Sequence, residues 1–325
     1  MIRYIFKRLL QMIPILIAVS IIVFFMVGLS PGDPAKIALG MNAKEETVAA
    51  FKAEYGLDQP LGMQYLNYMG GLLRGSLGKS YTTKQYVANM IAVRLMATVI
   101  IAFGSLILTY LIAIPLGVLL AVKQNSWFDN ISRVLALMMS SMPSFWLGLL
   151  LILLFSVKLG LLPSNGFDTP AHWILPLCCS CFGSWGGSSR YIRNMVLETI
   201  RQDYIRMARA KGCPERVVLF RHALRNALMP LITSIGMNIG TFFGGSVILE
   251  QLFGINGMGK MTLDALRQKD VPTIMAGVLI STVLIAVGNL LADLCYGLVD
   301  PRIRSIYSHP RKRKLKKEVA VSGAN

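Results

Sequence analysis

The amino-acid sequence predicts an all-α membrane protein with six transmembrane helices and a small helical extracytoplasmic insertion after the first span. Three observations carry that expectation. The chain is 54% hydrophobic and only 15% charged, with a mean hydropathy of +0.57, whereas soluble domains carry about a quarter charged residues. The apolar residues gather into runs long enough to cross a bilayer, which takes about 20 residues as a helix. Lysines and arginines concentrate in alternate loops and the C-terminal tail, the positive-inside pattern. The net charge of +17 therefore points to membrane topology and not to nucleic acid.

The elements follow in chain order. Arg3, Lys7 and Arg8 precede an apolar run from Leu9 to Leu29. That run is too long for the apolar core of a signal peptide, and Ser30-Pro31-Gly32-Asp33-Pro34 is not a small-residue cleavage site. Residues 1–30 read as a cytosolic N-terminus and an uncleaved first span. Residues 31–94 form the largest non-membrane stretch, a helical region expected outside the cell. Asn42 is placed to cap a helix with Glu45 at its third position, and Gly56 to end it. After Pro60 a second short amphipathic helix carries Met63, Leu66, Met69 and Leu73 at helical spacing. The hexapeptide G-S-L-G-K-S, Gly75 to Ser80, invites a nucleotide reading. A phosphate-binding loop needs a glycine five residues before Gly78, where Leu73 stands, and a buried strand before it, which is missing. It reads as an outer turn, and the chain is expected to carry no ATP site of its own.

Residues 95–299 hold five further spans. The second covers Met96 to Val122 with Pro115 inside it, and the basic loop Lys123 to Arg133 follows on the cytosolic side. The third covers Val134 to Val157 with Pro143 inside it. The fourth, Ile174 to Ser189, is rich in glycine and serine, which suits close packing or a wet path better than lipid. The fifth, Ala227 to Leu249, carries Ser234, Asn238 and Ser246, with Glu250 closing it at the outer interface. The loop Gln251 to Asp270, with G-I-N-G-M-G-K, reads as outside. The sixth, Val271 to Val299, places Asn289 and Asp293 on one face, Asp293 close enough to the cytosolic end to snorkel or cap. The tail, residues 300–325, is expected to be a basic cytosolic anchor near anionic lipid. Both termini are then cytosolic. Cys178, Cys179 and Cys181 lie in an apolar segment where only Cys178 and Cys181 share a helix face, so small inert thiols are expected there, not a metal site.

The loop 190–228 organises the chain. Arg190, Arg193, Arg201, Arg206, Arg209, Lys211, Arg216, Arg221 and Arg225 face only Glu198, Asp203 and Glu215. Gly212 followed by Pro214 breaks one helix and lets another start. A helix–turn–helix along the membrane face would act as a rigid lever, with Ala208 and Ala210 small enough to admit a partner and the cations suited to an acidic cleft.

A-R-A-K-G at 208–212 followed by R-H-A-L-R-N-A at 221–227 resembles the coupling loop of bacterial ABC importer permeases of the oligopeptide, dipeptide and nickel transport family. P-G-D-P at 31–34, Y-G-L-D-Q-P at 55–60, S-M-P-S-F-W at 141–146, G-I-N-G-M-G at 254–259 and V-D-P-R-I-R at 299–304 extend the resemblance over nearly the whole chain. The importers' general pattern begins Glu-Ala-Ala. Here Arg206, Met207 and Ala208 stand in those places, so the acid is absent. The resemblance implies a type I ABC importer fold in a bacterial or archaeal cytoplasmic membrane. It implies a homologous second permease subunit, two cytosolic ABC ATPases and an extracytoplasmic solute-binding protein as partners, with no cofactor and no resident metal. Arg206, Met207, Ala208, Arg209, Ala210, Lys211 and Gly212 would couple to the ATPases, and Ser234, Asn238, Ser246 and Asn289 would line the path. Di- or oligopeptides are the expected cargo, with a nickel chelate as the alternative. An ion-driven secondary transporter is a further alternative, disfavoured because no acid or base stands at midspan. Neither paired carboxylates nor H-E-x-x-H supports a membrane enzyme.

Overall fold

A computed structural model describes residues 2–299, and the regular structure among the described residues is helical apart from an isolated β-bridge between Lys79 and Tyr86. The C-terminal tail, with its expected lipid anchor and the end of the V-D-P-R-I-R motif, lies outside the described residues. Helix α1 (Ile2–Leu29), α5 (Val87–Val122) and α13 (Val271–Val299) contain stretches long and apolar enough to cross a membrane. A further such stretch is broken. Helix α6 (Trp127–Ser141) and the helical stretch Ser144–Lys158, made of α7 (Ser144–Leu151) and a π-helical continuation, meet at 101°. The third span was expected as one helix from Val134 to Val157, and the bend corrects that. Pro143 has no N–H to donate and drives the residue before it out of the helical region. Met142 accordingly sits at φ −80°, ψ 131°.

The fourth and fifth expected spans fall on α8 (Pro170–Ile200) and α11 (Leu224–Leu252), which are long but less apolar. Their small residues have a packing role. A Cβ on Gly117 of α5 would lie 2.8 Å from the Ser189 carbonyl of α8, and one on Gly186 of α8 would lie 2.8 Å from Ala136 of α6. Only glycine lets these backbones approach so closely. The main core lies between α5, α8 and α11, around Tyr110, Ile192, Val196, Phe242 and Phe243. A second core gathers Leu147, Leu175, Cys179, Leu249 and Phe253 near the end of α11. Helix α8 runs unbroken through Ile200, so the first third of the expected loop 190–228 is a helix continuing out of the core.

The stretch between α1 and α5 holds three helices. Helix α2 (Pro34–Leu39) starts at Asp33, whose carboxylate accepts from the Ala35 N–H at 3.0 Å. Helix α3 (Glu45–Tyr55) ends as expected at left-handed Gly56. It does not begin at Asn42. Lys44 occupies the N-cap, with no side-chain bond. Helix α4 (Leu61–Leu73) follows Pro60 as the spacing predicts. Helix α5 then starts at Val87, inside the stretch expected to be non-membrane. Its 36 residues span about 54 Å at ~1.5 Å per residue, well beyond a hydrocarbon core of about 30 Å.

Two buried carboxylates tie down the end of the bundle where α13 starts and α11 ends. Asp270, just before α13, accepts from the Ser80 hydroxyl, from the Tyr81 N–H at 3.0 Å and from Thr273 Oγ1 at 2.8 Å. This pins the G-S-L-G-K-S turn to the head of α13. Glu250, expected to close the fifth span at the outer interface, is fully buried. Thr98 Oγ1 donates to it at 2.7 Å and the Lys260 N–H at 2.8 Å. The chain after α11 folds back over it into α12 (Met258–Gln268). A Cβ on Gly257 would overlap the Glu250 carboxyl carbon. At the other end of α13 Asp293 pairs with Arg8 of α1 at 2.9 Å.

Candidate functional site

The basic loop forms a two-armed turn with its own small core. Its first arm is α9 (Asp203–Ala210), and its second is α10 (Glu215–Val217) with a π-helical turn over Val218–Ala223 that leads into α11. Apolar Ile205 and Ala208 lie three apart and share one face of α9. They pack with Val218 and Ala223, and Ile200 and Cys213 close the cluster. Cys213 thus serves as a packing residue. Between the arms Gly212 adopts φ +77°, a conformation that costs other residues about 1–2 kcal/mol. Its N–H donates to the Arg209 carbonyl at 2.9 Å, and the Cys213 N–H to the Ala208 carbonyl at 3.2 Å. Pro214 then starts the second arm from an extended conformation.

A bidentate ion pair clamps the arms. Arg209 Nη2 and Nε donate to the two Glu215 oxygens at 2.7 and 3.1 Å. The Arg209 guanidinium holds the Glu215 carboxyl below its ordinary value, and Glu215 raises Arg209 in turn. Both side chains are more than a third exposed, so the pair contributes at most about 1 kcal/mol. Its use is geometric, fixing the angle between the arms.

Of the residues singled out in the sequence, Arg206, Met207, Ala210, Lys211 and Gly212 are exposed, and Met207 is 59% exposed. Ala208 differs from expectation. It faces the core of the loop, so of the two alanines it is Ala210 that is offered outward. The arrangement is a packed turn whose first arm holds an exposed apolar side chain, Met207, among cations.

The root of this turn is locked by a contact that sequence reasoning missed. Arg193 of α8 donates from Nε and Nη2 to the two oxygens of Asp129 in α6, at 2.8 and 2.7 Å. Asp129 also accepts from the Asn125 N–H at 3.0 Å and from Arg133 at 3.2 Å. Asp129 is fully buried and Arg193 nearly so. The pair joins the first basic loop to the helix that carries the second. Opposite charges in two loops of the same side were the one available signal.

The four residues expected along a path do not form one group. Ser234 and Asn238 of α11 meet at Tyr110 of α5, with Asn238 Nδ2 donating to the Tyr110 hydroxyl at 2.9 Å and the Ser234 hydroxyl 3.3 Å from it. Ser246 is buried near Glu250 and donates to the Phe243 carbonyl at 2.7 Å. Asn289 is exposed on α13.

Comparison with known proteins adds an independent line. Residues 113–305 match the family model of the binding-protein-dependent transport system inner membrane component, and residues 1–102 match the model of its N-terminal region. The oligopeptide transport system permease protein AppB of Bacillus subtilis is 41% identical over 314 residues, covering 93% of this chain and 99% of that protein. The glutathione transport system permease protein GsiC of Pectobacterium atrosepticum is 38% identical over 304 residues, covering 94% and 99%. Among solved structures, an inward-facing MetNI methionine ABC transporter chain aligns with a TM-score of 0.54 at 20% identity, over 65% of this chain and 96% of that one. That likeness shows a shared fold.

Proposed function

This chain belongs to the family of binding-protein-dependent transport system inner membrane components and is a permease subunit of an ABC importer; from that premise we propose that it carries di- or oligopeptides inward by coupling its helices to cytosolic ATPases. The two-armed turn around Gly212 carries the coupling part of the proposal. A loop that merely connected two spans would need neither a packed core of its own nor an ion pair fixing the angle between its arms.

In this reading two ABC ATPases dock on the turns of this chain and of a homologous second permease. Met207 and Ala210 enter the ATPase cleft, and Arg206 and Lys211 meet its acidic rim. ATP-driven closure of the ATPases moves α9, and α8 transmits the motion because Arg193 and Asp129 hold it to α6. Rigid-body rocking about packed interfaces then alternates access, a known type of switch. An extracytoplasmic binding protein delivers the cargo, and hydrolysis stays with the partner subunits. The chain crosses the cytoplasmic membrane six times in this reading, α8 and α11 included, with both termini in the cytosol. The peptide cargo is supported by the names of the oligopeptide and glutathione permeases, which match almost end to end.

The test is a Met207→Glu substitution in the assembled complex. It reverses the character of an exposed position without touching the loop core. Co-purification of the ATPases should fall while the permease pair stays folded. Unchanged ATPase recovery would contradict docking at this turn.

A further inference from the structure

The insertion after α1 is expected outside the membrane, yet α4 has the marks of a helix that lies in it. We infer that α4 rests in the outer leaflet, at the boundary between headgroups and acyl chains, with Met63, Leu66 and Leu73 against lipid. The inference rests on α1 being a span and is independent of what the importer carries.

Depth is the first argument. Leu61 packs on Gly28, where a Cβ would lie 2.9 Å from its side chain. The Tyr65 ring stands edge-on to Phe24 at 5.4 Å, and its hydroxyl lies 2.8 Å from that of Ser20, which is buried. The apolar stretch of α1 runs from Ile5 to Leu29. At ~1.5 Å per residue, Phe24 lies about 7.5 Å below its outer end, which falls within the ~5–10 Å burial of an interfacial helix. Ser20 lies deeper still, near the middle of the run.

Chemistry is the second argument. The 13 residues of α4 include no charged side chain; the flanking charges are Asp58 and Arg74. The amides of Gln64 and Asn67 are both taken up by hydrogen bonds to the turn before the helix, Asn67 doing so from the exposed surface. Gln64 donates to the Leu57 and Gln59 carbonyls, at 3.3 and 2.7 Å, and Asn67 donates to the Gln59 side chain at 2.8 Å. One face of α4 packs through Tyr65, Tyr68 and Leu72 on the cluster of Phe24, Met275 and Leu279. The other leaves Met63 51%, Leu66 62% and Leu73 86% exposed. In water that face would be an unpaid hydrophobic surface. Helix α1, which carries α4, exposes Ile22, Met26 and Leu29 as well, so the lipid-facing surface of the span continues onto the insertion. Lipid is thereby the occupant that the position and the neighbours of α4 favour over a protein partner.

The test uses the full chain in its assembled complex, in intact cells. Leu66→Cys and Met63→Cys report on the exposed face of α4, and Glu46→Cys, on the exposed start of α3, is the outside reference. The unsubstituted chain gives the background from native thiols. A membrane-impermeant maleimide should label Glu46→Cys, while Leu66→Cys and Met63→Cys stay unlabelled until the membrane is dissolved in SDS. A phospholipid bearing a diazirine on its acyl chain should leave adducts on the α4 peptide of the unsubstituted complex. Labelling of both α4 thiols at the rate of the reference would overturn the inference. So would protection without acyl-chain adducts, which would assign the face to a protein partner.

Discussion

The contact between Asp129 and Arg193 allows the most quantitative prediction. Asp129→Leu leaves the Arg193 guanidinium nearly buried, with Asn194 Oδ1 at 3.3 Å as its remaining side-chain acceptor. Stranding one charge of a buried pair costs about 3–5 kcal/mol. Arg193→Met is the milder change, because Asp129 keeps the Asn125 N–H at 3.0 Å and Arg133 at 3.2 Å. It should therefore fall at or below the lower end, about 3 kcal/mol. The double substitution removes both charges and fills the space with apolar atoms. It should be less damaging than the sum of the singles by a coupling energy at the upper end of the ~0.5–3 kcal/mol typical of contacting residues. Equilibrium unfolding of the purified chain in mixed micelles measures all three. Single effects that add to within about 0.5 kcal/mol would refute the argument that these residues act as one lock.

Two further outcomes follow from the geometry. Gly257→Ala forces a methyl into the Glu250 carboxylate and should destabilise the chain by about 1–3 kcal/mol; a melting temperature equal to that of the unsubstituted chain would show that the loop does not sit on Glu250. Acid should loosen the turn around Gly212. The Glu215 carboxyl is held below its ordinary value of 4.5, so the contribution of the clamp is present above that value and is lost as pH falls through the lowered native one. Hydrogen exchange around Gly212 should rise in that window by no more than the ~1 kcal/mol of an exposed pair, and Glu215→Gln should abolish the pH dependence.

What was legible in the sequence was mostly what is decided locally. Gly212 and Pro214 break a helix by their own backbone chemistry, as does Gly56, and these breaks stand where they were expected. Pro143 shows the limit of hydropathy. The run from Val134 to Val157 is apolar enough to cross a membrane, but apolarity carries no direction, and the chain turns by 101° at the proline. The start of α3 was misplaced because a good capping residue, Asn42, lies near a helix that begins without any side-chain cap. Long-range contacts were out of reach. Asp129 and Arg193 are 64 residues apart, and only the packing of α6 on α8 brings them together. Glu250 looked interfacial from its place at the end of an apolar run and is buried because the glycines after it let the chain fold back. Ser234 and Asn238, four apart on one helix, did come together. Their meeting point, Tyr110, had been hidden in an otherwise apolar stretch.

The central claim is that the Gly212 turn transmits ATPase closure to the transport path. It is tested most directly by ATP-driven uptake of a labelled oligopeptide into proteoliposomes holding this chain, its partner permease, the ATPases and the binding protein. Gly212→Pro is the decisive variant, because proline fixes φ near −65° where the turn requires +77°, and it removes the N–H bonded to Arg209. The account predicts that the Gly212→Pro complex assembles and hydrolyses ATP but no longer accumulates peptide. Undiminished uptake by that complex, or uptake by this chain alone down an ion gradient with no ATPase present, would contradict it.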